Sequence, residues 1–247
     1  MPMNLINLPA IASTNTWLKE NSATLPHGSV AITDNQTAGR GQRGNSWEAE
    51  PGKNLTFSIL LRPTQLHPSQ QFLISEIVSL AVVNALRDAL APTITPERVT
   101  VKWPNDIYVD DRKIAGILIE HSINASAIQQ TVVGIGLNVN QTQFLSDAPN
   151  PVSMTALTGL TYPLPDLLSA IVEPIIATID PSLRDDVHTD YLCQLWRADN
   201  LPHRFAYPDG TPFEATINTV DPDGFLSLTL TNGTIQRFAF KEVAFLL

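Results

Sequence analysis

One cysteine, Cys193, stands in 247 residues. An intramolecular disulfide is therefore excluded, and a reducing cytoplasm is the expected setting. Basic side chains are scarce as well, 15 Lys and Arg against 24 Asp and Glu, for a net charge of −9. That balance argues against broad contact with nucleic-acid phosphates but leaves room for a local basic site. The histidines at 27, 67, 121, 188 and 203 have no zinc-type spacing, and one thiol cannot complete a thiolate cage. Metal held by protein groups alone is not expected. No run of ~18 apolar residues is present, and the first residues lack a basic segment followed by a long apolar one. Neither a membrane span nor a signal peptide is expected. What remains is 43% hydrophobic and 16% charged, the composition of an ordinary folded chain long enough for one or two domains.

Periodicity gives the elements. "STNTWLKE" (13–20) reads as a helix start with Ser13 or Thr14 as cap. "SVAITDNQ" (29–36) reads as a strand, and Leu55, Phe57, Ile59 and Leu61 alternate as a second one. Residues 70–92 carry apolar side chains nearly all round at helical spacing, which predicts a central buried helix. Strands are expected at 99–103, 113–122 and 130–139, the first two joined through a hairpin with Asp110 and Asp111 in its turn. Residues 140–153 are polar with two prolines and read as a long loop. Helices are expected at 164–179, bent or broken near Pro174, and at 184–197, where Cys193 and Trp196 read as core or interface residues. Beyond residue 200 the texture changes to short strands separated by Asp-Gly and Asn-Gly turns, the pattern of a small β-barrel. The expected division is 1–199 and 200–247.

Three stretches carry the chemistry. "TAGRGQRGNSWEAEPGKNL" (37–55) places Gly39, Gly41, Gly44 and Gly52 close together with Arg40, Gln42, Arg43, Asn45 and Trp47, although the whole chain has 12 glycines. Glycines let backbone N–H groups converge on an anion, and arginines add charge-assisted hydrogen bonds. A phosphate or carboxylate site is one reading and a mobile surface loop the other. The run has neither Walker nor Rossmann spacing. In "VKWPNDIYVDDRKIAGILIE" (101–120), Lys102, Asn105, Asp106 and Lys113 sit among strand-like apolar residues. Lys113, before the small pair Ala115-Gly116, either points its ammonium into a cleft or is solvated on a surface hairpin. "GIGLNVN" (134–140) brings Asn138 to a strand end, where an amide could read a base or phosphate.

Taken together, "STN" (13–15), "QTAGRGQRGNSW" (36–47), "KWPNDI" with "DRKIAGIL" (102–118) and "VGIGLNVN" (133–140) resemble the biotin–protein ligase family in order and spacing. The resemblance is strong over roughly 5–160 and looser beyond. It implies an α+β fold, a mixed sheet backed by helices as in class II synthetases, followed by a small SH3-like β-barrel. It implies ATP-driven formation of biotinyl-5′-AMP with release of pyrophosphate, then transfer of biotin to a lysine of a carboxylase's biotin carboxyl carrier domain. Carried over position by position, Ser13, Thr14, Asn15 and Gln36 line the biotin rings. Arg40, Gly41 and Gln42 wrap its tail and the phosphate, Arg40 counting among the catalytic residues, and Gly39 and Gly116 also border biotin. Lys113 bridges the biotin carboxylate and the α-phosphate, with Lys102 assisting. Asp106 serves Mg²⁺ placement or accepts a proton from the incoming lysine, and the sequence does not choose. Arg43, Asn45, Trp47, Asn105 and Asn138 form the nucleotide end, together with the 140–153 loop. Homodimerisation through the sheet is common in the family, and nothing in the sequence decides it here.

The chain also departs from the family pattern. Gln42 stands where many members have arginine, which predicts a looser hold on the adenylate phosphate, and Asn45 stands where some have a second arginine. Val152 lies near the place where some members put an adenine-stacking tryptophan. "STN" begins at residue 13, so no winged-helix domain and no DNA-bound repressor role are expected. Two other readings are the related lipoate ligase or octanoyl transferase group, and a binding protein without turnover; "GRGQRG" with "KWPND" disfavours the first and Lys113 the second.

Overall fold

In the computed structural model, residues 3–41, 46–91, 93–124, 126–146, 148, 150–179 and 184–246 are described. Seven strands form a mixed sheet: β1 (Asn4–Leu8), β2 (Ser29–Thr33), β3 (Leu55–Leu61), β4 (Val99–Lys102), β5 (Asp106–Val109), β6 (Arg112–Ile123) and β7 (Ile128–Leu137). Their spatial order is β1-β2-β3-β7-β6-β5-β4. Only β1 and β2 run parallel, and β1, which the sequence reading did not assign, forms the outer edge beside β2.

The strict alternation in β3 divides the sheet into two faces. Leu55, Phe57 and Ile59 stand opposite Leu137, Ile135 and Val133 of β7. This face packs on α2 (Phe72–Leu90) and α4 (Leu164–Thr178), with the short α3 (Met154–Thr158) preceding α4 in the chain, and its residues belong to the main core. As expected, α2 is buried on most of its circumference. The other face carries Thr56, Ser58 and Leu60, and receives α1 (Thr14–Asn21) through a small separate cluster of Leu18, Ala31, Leu60 and Val132. The cleft lies on this second face.

Of the bend or break expected near Pro174, no break occurs: helix α4 runs through it. The reason is placement: Pro174 and Ala170, whose carbonyl loses its helical partner, both face solvent, while Leu167, Leu168, Ile171, Val172 and Ile175 hold one continuous buried stripe. Helix α5 (Arg184–Cys193) is shorter than expected. Its chain leaves the helix because Val101 N donates to Gln194 O at 2.7 Å and Trp196 N to Val101 O at 2.8 Å, tying 194–196 to β4. Val187, Tyr191 and Leu195 recur at helical spacing and are buried. Cys193 lies off that stripe and is exposed, so of its two readings, core or interface, the core one is corrected. Trp196 is buried.

The remaining strands, β8 (His203–Ala206), β9 (Pro212–Val220), β10 (Leu226–Leu230), β11 (Ile235–Phe238) and β12 (Ala244–Phe245), make an antiparallel sheet in the order β11-β10-β9-β8-β12. Its core stacks Phe205, Phe213, Tyr207 and Phe238. This is the small SH3-like unit expected at the C-terminal end. It docks on the start of α2 through Gly224, which has φ +90° and sits against the Phe72 ring. Trp103 Nε1 donates to the Gly224 carbonyl at 3.0 Å, and the Trp103 ring meets Phe240 edge-on at 6.0 Å.

Candidate active site

A cleft of about 930 Å³ opens on the second face of the large sheet, between α1, the glycine-rich segment, the β5–β6 hairpin and the last strand of the small sheet. Its floor is a set of rows across three strands. Thr56, Gly136 and Gly116 stand side by side, and Ser58, Gly134 and Leu118 form the next row. The glycines matter because other groups lie directly on their backbone. A Cβ on Gly116 would come within 2.8 Å of the Trp47 ring, one on Gly136 would overlap the same indole, and one on Gly134 would overlap the Asn15 amide.

At one end, helix α1 delivers three residues from its first turn. Ser13 Oγ accepts from Thr16 N at 3.4 Å, so Ser13 caps the helix. Thr14 N donates to Gln36 Oε1 at 2.9 Å, and the Thr14 and Ser58 hydroxyls are 2.7 Å apart. Asn15 does not cap. Its Oδ1 accepts from Ser58 Oγ at 2.5 Å, and its Nδ2 donates to Glu120 Oε2 at 3.1 Å and Leu118 O at 3.3 Å. Glu120 also pairs with Lys19 at 2.9 Å and with Arg40 at 3.3 Å. Burial works against its charge, but the bonds from Lys19 and Asn15 and the charges of Lys19 and Arg40 outweigh it and hold the carboxyl below the usual glutamate range.

At the other end, the hairpin places Asp106 and Lys113 in an ion pair of 2.6 Å, each side chain about one-third exposed. The tight turn uses Asp110 at φ 54°, as its sequence position predicts. Lys113 is held from behind, its N–H donating to Asn150 O and its carbonyl accepting from Val152 N, both at 2.9 Å. Its ammonium lies 5.9 Å from the Trp47 ring. Lys102 sits deeper, donating to Tyr108 Oη at 3.1 Å and lying 4.9–5.4 Å from the rings of Tyr108, Trp196 and Phe245. Burial pulls its ammonium below the usual lysine value, Lys113 and Arg197 add to that, and Asp106 opposes it. Burial also pushes the Tyr108 hydroxyl up to about 12, with Asp106 adding.

Asn105 and Asn138 are buried in the cleft wall. Asn138 Nδ2 donates to Val152 O at 3.2 Å, while its Oδ1 is buried with no partner among the described residues. Val152 is itself buried rather than presented to the cleft.

Most of the anticipated residues thus meet in one place: Ser13, Thr14, Asn15 and Gln36 at the α1 end, Arg40, Gly41 and Trp47 on the glycine-rich segment, and Lys102, Asn105, Asp106, Lys113, Gly116 and Asn138 around the hairpin and floor. Gly39 is not in the cleft wall. It lies beneath the segment, its carbonyl accepting from Trp47 N at 3.0 Å, where a Cβ would come within 2.5 Å of the Trp47 carbonyl. Gln42, Arg43, Gly44 and Asn45 lie outside the described residues. Sequence reasoning missed Glu120 and Ser58. Both had a signal: period two from Gly116 puts Glu120 on the cleft face of β6, and alternation puts Ser58 on the polar face of β3.

Among the described residues, no helix is long and apolar enough to cross a membrane. Comparison with known proteins agrees with the geometry. Residues 8–138 match the model of the biotin/lipoate A/B protein ligase family. The bifunctional ligase/repressor BirA of Salmonella typhimurium is 31% identical over 202 residues, 81% of this chain and 61% of that protein. A biotin–[acetyl-CoA-carboxylase] ligase of Mycobacterium tuberculosis is 31% identical over 221 residues, covering 84% of this chain and 76% of the relative. The chain spans only 39% to 61% of the length of the bifunctional relatives from Escherichia coli and Salmonella typhimurium. In fold it is similar to the biotin protein ligase of Aquifex aeolicus solved with biotin and ATP, with a TM-score of 0.79 at 23% identity over 98% of this chain and 97% of that one. With a family match over more than half its length and a cleft built from the same stretches, the chain belongs to the biotin/lipoate A/B protein ligase family.

Proposed function

We propose that this chain is a biotin–protein ligase. Biotin's carboxylate attacks the α-phosphate of ATP, giving biotinyl-5′-AMP and pyrophosphate. The amine of a lysine on a biotin carboxyl carrier domain then attacks the acyl carbon, releasing AMP. The observation that carries this reading is the Lys113–Asp106 pair at 2.6 Å, set beside a glycine-paved floor. A carboxylate nucleophile is already ionised at neutral pH, so the first step needs cations and alignment more than a general base. Lys113 and Lys102 are cations in the cleft wall, and Asp106 is its one carboxylate among the described residues.

In this reading the polar groups of Ser13, Thr14, Asn15 and Gln36 hold the biotin rings, and Arg40, Gly41 and Gly116 border its tail. Lys113 exchanges Asp106 for the biotin carboxylate and α-phosphate. Asn105, Asn138 and Trp47 take the nucleotide. The unpartnered, buried Asn138 Oδ1 suits a donor such as an exocyclic amine. Roles for Gln42, Arg43 and Asn45 rest on the family resemblance. Gly39 acts by shaping the segment.

Magnesium fits a site of this kind in one way. Among the described residues no three His, Cys, Asp or Glu side chains gather to hold a metal, but Mg²⁺ is commonly held by one or two carboxylates and substrate phosphates. Asp106 is the residue that would hold it, and the ion would supply charge neutralisation on the triphosphate. We also read 1–199 and 200–247 as two domains and the cytoplasm as the compartment, and we expect no DNA partner.

The test is pyrophosphate release with Mg-ATP and biotin, compared with lipoate and octanoate, followed by labelling of a carrier-domain acceptor. Biotin-dependent release with acceptor labelling is expected. Release with lipoate or octanoate alone would move the chain to the sister activities.

A further inference from the structure

Glu48 follows Trp47 on the glycine-rich segment and reaches across to a different loop. Its Oε1 accepts from Leu145 N at 2.9 Å and from Gln141 Nε2 at 3.1 Å, and its Oε2 accepts from Ser146 N at 2.7 Å and Leu145 N at 3.1 Å. Gln141 closes the connection from the other side, its Oε1 accepting from Glu50 N at 2.9 Å and from Asn54 Nδ2 at 2.5 Å. Asn54 in turn accepts from Val139 N at 2.9 Å, at the end of β7. Burial works against the Glu48 charge, but these donors outweigh it and hold its carboxyl below the usual glutamate range.

The loop so held forms part of the cleft. Ser146, Ala148 and Asn150 line it, and the chain then pairs with Lys113 and Asn138 through Asn150 and Val152. This wall lies at the Lys113 end and not at the α1 end. Among the described residues the loop tip is open to solvent, with Leu145 89% exposed. A charged acceptor on backbone N–H groups is among the stronger hydrogen-bond types, and here it is directed at the two amides at that tip.

We propose that Glu48 is a positioning residue that ties the Trp47–Glu50 stretch to the 141–146 loop and so holds the nucleotide-side wall of the cleft in place. The nucleotide rests on the ligase reading; the coupling itself does not. Because Glu48 touches no reacting atom, its loss changes how well the cleft holds ATP and leaves the chemistry at Lys113 in place.

Two readouts on the full chain test this. Amide hydrogen exchange of the ligand-free protein reports the tie directly: Glu48→Ala is expected to lower protection at Leu145 and Ser146 by ~5-fold or more, with the core strands unchanged. In biotin-dependent pyrophosphate release, Glu48→Ala is expected to raise the KM for ATP by ~5-fold or more while kcat and the KM for biotin stay within ~2-fold. Glu48→Gln keeps one acceptor oxygen at the same reach and is expected to recover part of the ATP KM. Unchanged protection at 145–146 overturns the proposal, as does an unchanged KM for ATP or a fall in kcat alone. Should the wild type release no pyrophosphate, the ligase reading fails by itself, and the exchange measurement still decides whether Glu48 couples the two segments.

Discussion

Lys113 Nζ lies 2.6 Å from Asp106 Oδ2 across the β5–β6 hairpin, with both side chains about one-third exposed. A pair this exposed contributes little to stability, on the order of 0–1 kcal/mol. Lys113→Ala is expected to reduce biotin-dependent pyrophosphate release by ~10²–10³-fold while the melting temperature moves by only a few degrees. A variant that stays active within a few fold would remove Lys113 from the reaction.

Gly134 lies beneath the Asn15 amide, where a methyl group has no room. Gly134→Ala is expected to displace Asn15 and break its bonds to Ser58 and Glu120, at a cost of about 1–3 kcal/mol in stability. Biotin affinity should fall along with it. Calorimetric titration with biotin on the folded variant checks this, and wild-type affinity would show that Asn15 is not part of the biotin end.

Trp103 joins the two sheets, with its N–H on Gly224 O and its ring on Phe240. Trp103→Ala is expected to destabilise the protein by about 3–5 kcal/mol. Urea unfolding followed by circular dichroism measures the loss. A shift below ~1 kcal/mol would mean that the small sheet is held by other contacts.

Glu120 has its carboxyl held below the usual glutamate range, burial opposing and Lys19, Asn15 and Arg40 prevailing. A depressed folded-state pKa means the unfolded chain binds the proton more tightly. The stabilisation is therefore complete above the ordinary glutamate pKa and is lost as pH falls through the lower folded value. The stability gap between wild type and Glu120→Gln should be full above about pH 6 and close as the pH falls below the ordinary glutamate value of about 4.3. A gap that persists in acid would assign the effect to packing rather than charge.

Much of this architecture is legible in local pattern. The alternation at 55–61, the apolar circumference of 70–92 and the Asp-Gly and Asn-Gly turns after 200 each impose one solution on the backbone, and β3, α2 and the small sheet follow. Local pattern fails where a partner decides. Pro174 reads as a bend or a break, and the unbroken helix follows only once Pro174 and Ala170 are both seen to face water. Strand β1 has mostly exposed residues and exists because β2 offers an edge. Trp196 leaves its helical pattern to pair with Val101.

The candidate site divides in the same way. The sequence by itself determined which residue types are present and on which strands: Lys113 after a two-residue turn, glycines on β6 and β7, and a cap at Ser13. Only the tertiary structure decided what they face. Asn15 could have capped its own helix; instead it lies on Gly134, 119 residues away in the chain, because a glycine there leaves the backbone bare. Glu48 carries no motif, and its role comes from the amides of Leu145 and Ser146 that folding brings to it. Propensity and periodicity act over a turn or a strand, whereas hydrogen-bond satisfaction and close packing act between whichever groups the fold makes neighbours.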